Sequence, residues 1–245
     1  EIVGDLRRRT VRIDIETRLS QPSQRTGFRH TDLRAWEGDA SPTVLASINV
    51  TESSLKYNVK RFINFQTALC YGRPSTVPIP VTHPVQPFTS YGISKTAGEQ
   101  YLALSGLPYV SLRLGNVTGP RLSIGPIPTF YSRLKEAKPC FASETIRDFL
   151  DMSDFLDLLD LVMDESASTG IFNASTGEGE SIENVFNEVA KYLGIELDNP
   201  MEARPVGDDD VPALVLDPSG TEKAFGWKAK IGFEETIDRM LHWYD

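Results

Sequence analysis

Cysteine is scarce in this 245-residue chain: Cys70 and Cys140 are the only two, too few for a disulfide framework. A reducing, cytoplasmic setting is expected from that usage. Three scattered histidines give no metal-ligand spacing. The sequence has no apolar run long enough to span a membrane and no signal-peptide pattern. Positive charge is short as well. The formal net charge is −9, and Asp208-Asp209-Asp210 is a local acidic run, so a nucleic-acid surface is not expected. A small anion held by a few local arginines remains compatible with that balance. Lysine is missing altogether from residues 1–43, which hold eight of the sixteen arginines, and this shift marks a boundary. Finally, no Gly-x-Gly-x-x-Gly or Gly-x-x-Gly-x-x-Gly occurs, the turn that brings backbone against a dinucleotide pyrophosphate. Gly177-Glu178-Gly179 comes nearest, and reads as a turn after a strand over residues 171–174.

What is present is a composition of 40% hydrophobic and 24% charged residues, enough for a packed core of one or two domains. Its most informative stretch runs from Thr67 to Lys95. Residues 59–65 read as a short buried strand, Thr67 follows it, and a proline-rich loop leads to Tyr91-Gly92-Ile93-Ser94-Lys95. A Tyr and a Lys at this spacing project from one helix face, and the ammonium favours the phenolate. Tyr91 is thereby a candidate acid/base, and the Thr67 hydroxyl can hydrogen-bond the same substrate oxygen. Spacing alone proves little: eight tyrosines and nine lysines yield about 0.3 such pairs by chance. Tyr131 and Lys135 repeat it, and read as a solvated helix face.

The joined pattern, Thr67-Ala68-Leu69-Cys70-Tyr71-Gly72 followed by Tyr91-Gly92-x-Ser94-Lys95-x-x-x-Glu99, resembles the extended short-chain dehydrogenase/reductases, specifically the NAD-dependent epimerase/dehydratase family acting on nucleotide sugars. Further segments carry the same resemblance. Residues 44–52 resemble the family's Asn-Val-x-Gly-Thr-x-Asn-Val-x-Glu helix, with Thr43 where an Asn of the catalytic tetrad usually stands. Arg113-Leu114-Gly115-Asn116 with Gly119-Pro120 matches the family's Arg-x-x-Asn-x-x-Gly-Pro, read here as a strand over 107–114 and a turn beyond it. Arg147-Asp148-Phe149 with Asp154 matches Arg-Asp-Phe-x-x-x-x-Asp, and Arg204-Pro205-Val206-Gly207-Asp208 matches Arg-Pro-Gly-Asp with one residue inserted. Gly4-Asp5-Leu6 resembles the end of the third strand of the nucleotide-binding domain, and reads equally as a charged strand end. Residues of about 16 to 43 show no resemblance and read as an out-of-frame or degenerated segment.

The resemblance implies an α/β fold: a Rossmann-like parallel sheet lacking its first two strands, with a smaller C-terminal α/β substrate domain. Residues 1–118 would form the partial dinucleotide-binding domain, with 145–178 returning to it, and 119–144 and 179–245 would bind substrate. It implies NAD as cofactor, held by Asp5, Leu6, Tyr91, Lys95, Leu114 and Gly115. A nucleotide-diphosphate sugar would be held by Thr67, Asn116, Arg147 and Arg204, and a homodimer would form through the helices over 44–58 and 91–105. Alternatives stay open for two residues, Asn116 as the closer of a turn and Arg147 as an ion-pair partner of Asp148 or Asp151. Sugar dehydratases carry Asp-Glu directly after the Thr, whereas Ala68 and Leu69 stand here. The expectation is therefore a nucleotide-sugar 4-epimerase with Thr67, Tyr91 and Lys95 as catalytic residues, serving polysaccharide or glycosylated-metabolite synthesis. A keto-sugar reductase is the enzymatic rival. A truncated or degenerate homologue without cofactor, binding a sugar nucleotide or a partner, is the rival of another class.

Overall fold

A computed structural model describes residues 41–196, 201–208 and 210–245. Asp5, Leu6 and the segment from 16 to 40 lie outside them. The chain divides into two compact units. The first comprises its described residues up to Arg73 with His83–Arg113 and Asp160–Phe172, and the second Pro74–Thr82, Leu114–Leu159 and Asn173–Asp245.

In the first unit a π-helical turn, Ser41–Leu45, leads into α1 (Ala46–Lys56), which is followed by strand β1 (Phe62–Thr67). The strand begins later than its apolar run predicts. Arg61 turns its guanidinium away to the carbonyls of Val162, Glu165 and Ala167, and pairing starts at Phe62, whose N–H donates to Pro108 O. Thr67 is consequently the last strand residue. Helix α2 (Ser90–Leu104) leads to β2 (Tyr109–Leu114), and the sheet runs β1-β2-β7, with β7 at Gly170–Ala174. Phe62, Leu102 and Leu107 form its buried cluster. Helices α1 and α2 approach closely at Gly98, where a Cβ would meet Ser47 Oγ at 2.7 Å.

The second unit holds short parallel ladders. Strand β3 (Asn116–Thr118) pairs with β6 (Phe149–Asp151), β4 (Phe141–Ser143) with β9 (Glu202–Arg204), and β5 (Ile146–Arg147) with β10 (Ala213–Leu214). Its core is helical. In α5 (Ile182–Tyr192), the residues Ile182, Val185, Phe186, Val189 and Ala190 recur at i, i+3, i+4, i+7 and i+8, and all are buried. Ser181 caps the helix by accepting from Asn184 N at 3.0 Å, and Gly194 beyond its end takes a positive φ of 65°. That face packs with Ile127, Phe130 and Tyr131 of α3 (Pro126–Lys135) and Ile237, Met240 and Leu241 of α7 (Phe233–His242). Between β6 and β7 lies α4 (Met152–Val162); β8 (Glu180–Ser181) pairs antiparallel with β5, and α6 (Ser219–Phe225) follows β10.

The reading of Tyr131 and Lys135 as a solvated face holds for Lys135, which is exposed, and is overturned for Tyr131. Tyr131 is only 9% exposed, its hydroxyl donates to Asp245 Oδ1 at 2.6 Å and accepts from Lys135 Nζ at 3.0 Å, and its ring packs on Tyr244. Burial of the ring on the α5–α7 side decides this, which spacing along one helix cannot foresee. Residues 115–121 are likewise more than a turn, since Asn116 to Thr118 form β3.

Candidate active site

Thr67 ends β1 in extended conformation, and the chain closes at once into a 3₁₀ turn, Ala68–Tyr71. Leu69 N–H donates to Thr67 Oγ1 at 3.2 Å, capping that turn. One acceptor position of the hydroxyl is thus used, while its proton remains a donor for a substrate oxygen. Thr89 caps α2 in the same way, accepting from Gly92 N at 3.1 Å, which sets Tyr91 in the first helical turn and Lys95 one turn further on. Gly92 has a packing reason to be glycine: a Cβ there would lie 3.1 Å from Leu69 O and 3.2 Å from Pro87 Cβ. The turn after Thr67 and the turn bearing Tyr91 are therefore in close contact. Lys95 Nζ donates to Phe65 O at 2.5 Å, returning the ammonium to the end of β1. Tyr91 and Lys95 are both half-buried. The structure thus brings Thr67, Tyr91 and Lys95 to one junction. Thr43, at the expected Asn position, is buried, and its carbonyl accepts from Ser47 Oγ.

Beneath this junction lies a buried network that the sequence reading did not assign. Glu99, two turns along α2 from Tyr91, accepts from Arg113 Nη2 at 2.7 Å and from Ser111 Oγ at 2.6 Å. The Arg113 guanidinium stands 4.9 Å from the Tyr71 ring centroid. Both charged side chains are 5% exposed. Burial of Tyr71 raises its hydroxyl's pKa, with the Arg113 guanidinium opposing the rise. The spacing of Tyr91, Lys95 and Glu99 at i, i+4 and i+8 was the available signal. Gln66 was also missed. Its amide donates to Lys95 O at 3.0 Å, and its oxygen accepts from Thr67 N at 2.8 Å.

The remaining site residues lie in the second unit. Leu114 is half-buried, and Gly115 N donates to Ala174 O at 2.9 Å. A Cβ on Gly115 would lie 3.2 Å from Asp148 O, so this strand end packs tightly. Asn116 has its N–H on Asp148 O at 2.7 Å and its residue exposed. Asp148 is the fully buried organiser of this corner: Oδ1 accepts from Thr176 N and Oγ1, and Oδ2 from Gly177 N. Burial raises its pKa, and these hydrogen bonds oppose the rise. Arg147 pairs with neither Asp148 nor Asp151 but with Asp210, Nη2 to Oδ1 at 2.5 Å, while Nη1 donates to the carbonyls of Ile146 and Val211. Burial lowers its pKa, and Asp210 counters that. Arg204, on β9, is exposed, donates from Nε to Glu202 Oε1 at 3.1 Å, and covers the Phe141 ring at 3.6 Å.

Comparison with known proteins decides the family. The model of the NAD dependent epimerase/dehydratase family matches residues 35–175, more than half of the chain. The chain belongs to the NAD-dependent epimerase/dehydratase family. The family match begins ahead of residue 44, where the resemblance was expected to resume. A Methanocaldococcus jannaschii protein assigned as a UDP-glucose 4-epimerase is 28% identical over 94% of this chain and 77% of its own length, leaving too few unmatched residues to omit the whole segment 16–43. The crystal structure of the Bordetella bronchiseptica enzyme WbmG in complex with NAD and UDP is 59% identical, with a TM-score of 0.85 over 90% of this chain and 71% of that one. UDP-glucose 4-epimerase of Thermotoga maritima, solved with UDP-glucose, is 28% identical with a TM-score of 0.79 over 86% of this chain and 72% of that one. The fold is thus the α/β, Rossmann-like epimerase/dehydratase fold. In this epimerase/dehydratase chain the described residues fit the nicotinamide side of the cofactor. A half-buried ammonium with three donors suits a ribose diol, and a phenol stands one turn before it.

Proposed function

We propose that this chain is a nucleotide-sugar 4-epimerase that uses NAD. The observation carrying the reading is the junction of Thr67, Tyr91 and Lys95, formed by the end of β1 and the first turns of α2 and tied by Lys95 Nζ on Phe65 O. NAD, when bound, would supply the acceptor and then the donor for a hydride at the sugar C4. Tyr91 takes the proton of the C4 hydroxyl as the hydride departs, leaving a 4-keto sugar, and returns it when the hydride is restored to the other face. The Thr67 hydroxyl donates to the same sugar oxygen and orients it. Lys95 holds ribose and keeps positive charge near the Tyr91 oxygen. Leu114 and Gly115 contribute backbone to the nicotinamide, and Asp5 with Leu6 the contact to adenine.

Asn116, Arg147 and Arg204 hold the sugar nucleotide, with residues 119–144 and 179–245 as the substrate domain. Guanidinium suits a diphosphate because its planar fork donates paired, charge-assisted hydrogen bonds. Elimination of water would need a carboxylic acid beside Thr67, and the 3₁₀ turn that follows presents Ala68 and Leu69 instead. The same reading includes a homodimer. On α2, Ile93, Tyr101 and Leu104 are 52%, 47% and 82% exposed and share one helical stripe; Leu55 at the end of α1 is 46% exposed. No helix among the described residues is long and apolar enough to cross a membrane. The reading further includes a cytoplasmic enzyme supplying activated sugars for glycan assembly.

The test incubates the purified chain with NAD and UDP-glucose or UDP-N-acetylglucosamine and resolves the products by chromatography. Interconversion of C4 epimers without net NADH, lost in Tyr91→Phe, is expected. Stoichiometric NADH, or turnover that survives Tyr91→Phe, overturns the reading.

A further inference from the structure

We infer that Gln66 is a positioning residue that sets Lys95, and through it Tyr91, against Thr67. This role rests on the reaction proposed above. Strand β1 reads Phe-Ile-Asn-Phe-Gln-Thr, and two amides interrupt an otherwise apolar run at alternating positions, Asn64 and Gln66. Alternation puts both on one face of the strand. Asn64 Nδ2 donates to Ser111 Oγ at 2.9 Å, whose hydroxyl in turn donates to Glu99 of α2. Gln66 lies next along that face, 1% exposed.

Both ends of its amide are used across the junction. Nε2 donates to Lys95 O, and Oε1 accepts from Thr67 N. A carbonyl inside a helix has a second lone pair beyond its intrahelical bond, and Gln66 occupies that position on Lys95. The Lys95 side chain returns to Phe65 O. A closed ring results: Phe65 O, the Lys95 side chain, the Lys95 carbonyl, the Gln66 amide and the Thr67 N–H. Lys95 is thereby held at its ammonium and at its backbone, and Thr67 at its backbone, by groups on consecutive residues of one strand. An apolar side chain of equal length would fill the same space and leave the Thr67 N–H and the outer lone pair of Lys95 O unmatched. Helix α2 could then slide along the strand by the small distance that proton transfer does not tolerate. Lys95, the Glu99–Arg113 pair and the titratable Cys70 and Tyr71 of the adjoining turn stand in this part of the unit, and no substitution at Gln66 removes any of them.

Gln66→Met and Gln66→Glu test this, alongside wild type and Tyr91→Phe. Thermal unfolding and UDP affinity identify folded variants. In Gln66→Met, kcat is expected to fall roughly 10- to 100-fold with KM for the UDP-sugar within about two-fold of wild type. The acid limb of its kcat profile should move to higher pH, because Lys95 no longer holds the Tyr91 phenolate as closely. Gln66→Glu should regain turnover as pH is lowered, since a protonated carboxyl can again donate to Lys95 O while accepting from Thr67 N. A folded Gln66→Met with wild-type kcat and wild-type pH limb overturns the inference. Should wild type itself show no epimerisation, the proposed reaction fails separately. The inference is then judged by the Tyr91 phenolate absorbance, taken as the difference from Tyr91→Phe, which must titrate higher in Gln66→Met than in wild type.

Discussion

Removing Arg113 should loosen α2 more than any exposed substitution on that helix. The guanidinium is 5% exposed and donates twice to the Glu99 carboxylate, from Nη2 at 2.7 Å and Nε at 3.4 Å, beside the Ser111 hydroxyl. Arg113→Met keeps a similar apolar volume and strands a buried carboxylate with one hydroxyl. Breaking one side of such a pair costs about 3–5 kcal/mol, a large part of the roughly 5–15 kcal/mol by which a domain is stable. Replacing both partners, as Glu99→Leu with Arg113→Met, removes the uncompensated charge and should recover most of that loss. Because the chain has two units, a single melting temperature would mix them. Amide hydrogen exchange of α2 reads the affected helix directly. Protection at Tyr101 and Leu102 is expected to fall roughly 10²- to 4 × 10³-fold in Arg113→Met and to return in the double variant. A fall of less than about five-fold, or a double variant as exposed as the sum of its singles, would refute the view that desolvated charge is what this pair controls.

Cys70 is fully buried, and burial pushes its thiol up from an ordinary 9.0 to about 12, against the pull of the Arg113 guanidinium. The native thiol should resist alkylation near neutral pH. Between 9.0 and about 12 the unfolded chain gives up this proton and the native one keeps it, so stability present below 9.0 declines across that window; a pH-flat urea midpoint there would contradict it. Arg147→Ala should weaken UDP binding about 10- to 100-fold by calorimetry, with Arg147→Lys failing to restore it. Asp210→Asn, which releases Arg147 from its ion pair, should tighten binding instead, and equal affinity in all three chains would remove Arg147 from the phosphate site. Leu104→Asp, on the most exposed apolar side chain of α2, should convert a dimer to monomer by sedimentation without loss of fold; a dimer that persists places the interface elsewhere.

Local chemistry was legible where its cause was local. Ser181 as a cap and Gly194 beyond a helix end follow from short-range hydrogen-bonding geometry and backbone freedom. The Thr67 and Tyr91–Lys95 pattern was equally readable, because one strand end and one helix turn suffice to state it. Tyr131 and Lys135 have the same spacing and a different fate. Nothing along α3 reveals that α7 and the residues after it will close over the tyrosine. Arg147 illustrates the point from another side: the carboxylates near it in sequence, Asp148 and Asp151, point into hydrogen bonds of their own, and its partner Asp210 arrives from the segment that leads to β10.

The order of residues by itself determined the family, the α/β class and the candidate set of Thr67, Tyr91 and Lys95. Those depend on side-chain identity and short spacing, which a linear chain carries in full. Tertiary structure alone decided how those groups are held. Gln66, Glu99, Arg113 and Tyr71 come from β1, α2, β2 and the turn after Thr67; the bond of Gln66 to Lys95, the bond of Arg113 to Glu99 and the Arg113–Tyr71 ring contact exist only once the strands lie side by side under the helix. A buried amide or carboxylate must find its partner wherever packing supplies one, and packing is a property of the folded chain.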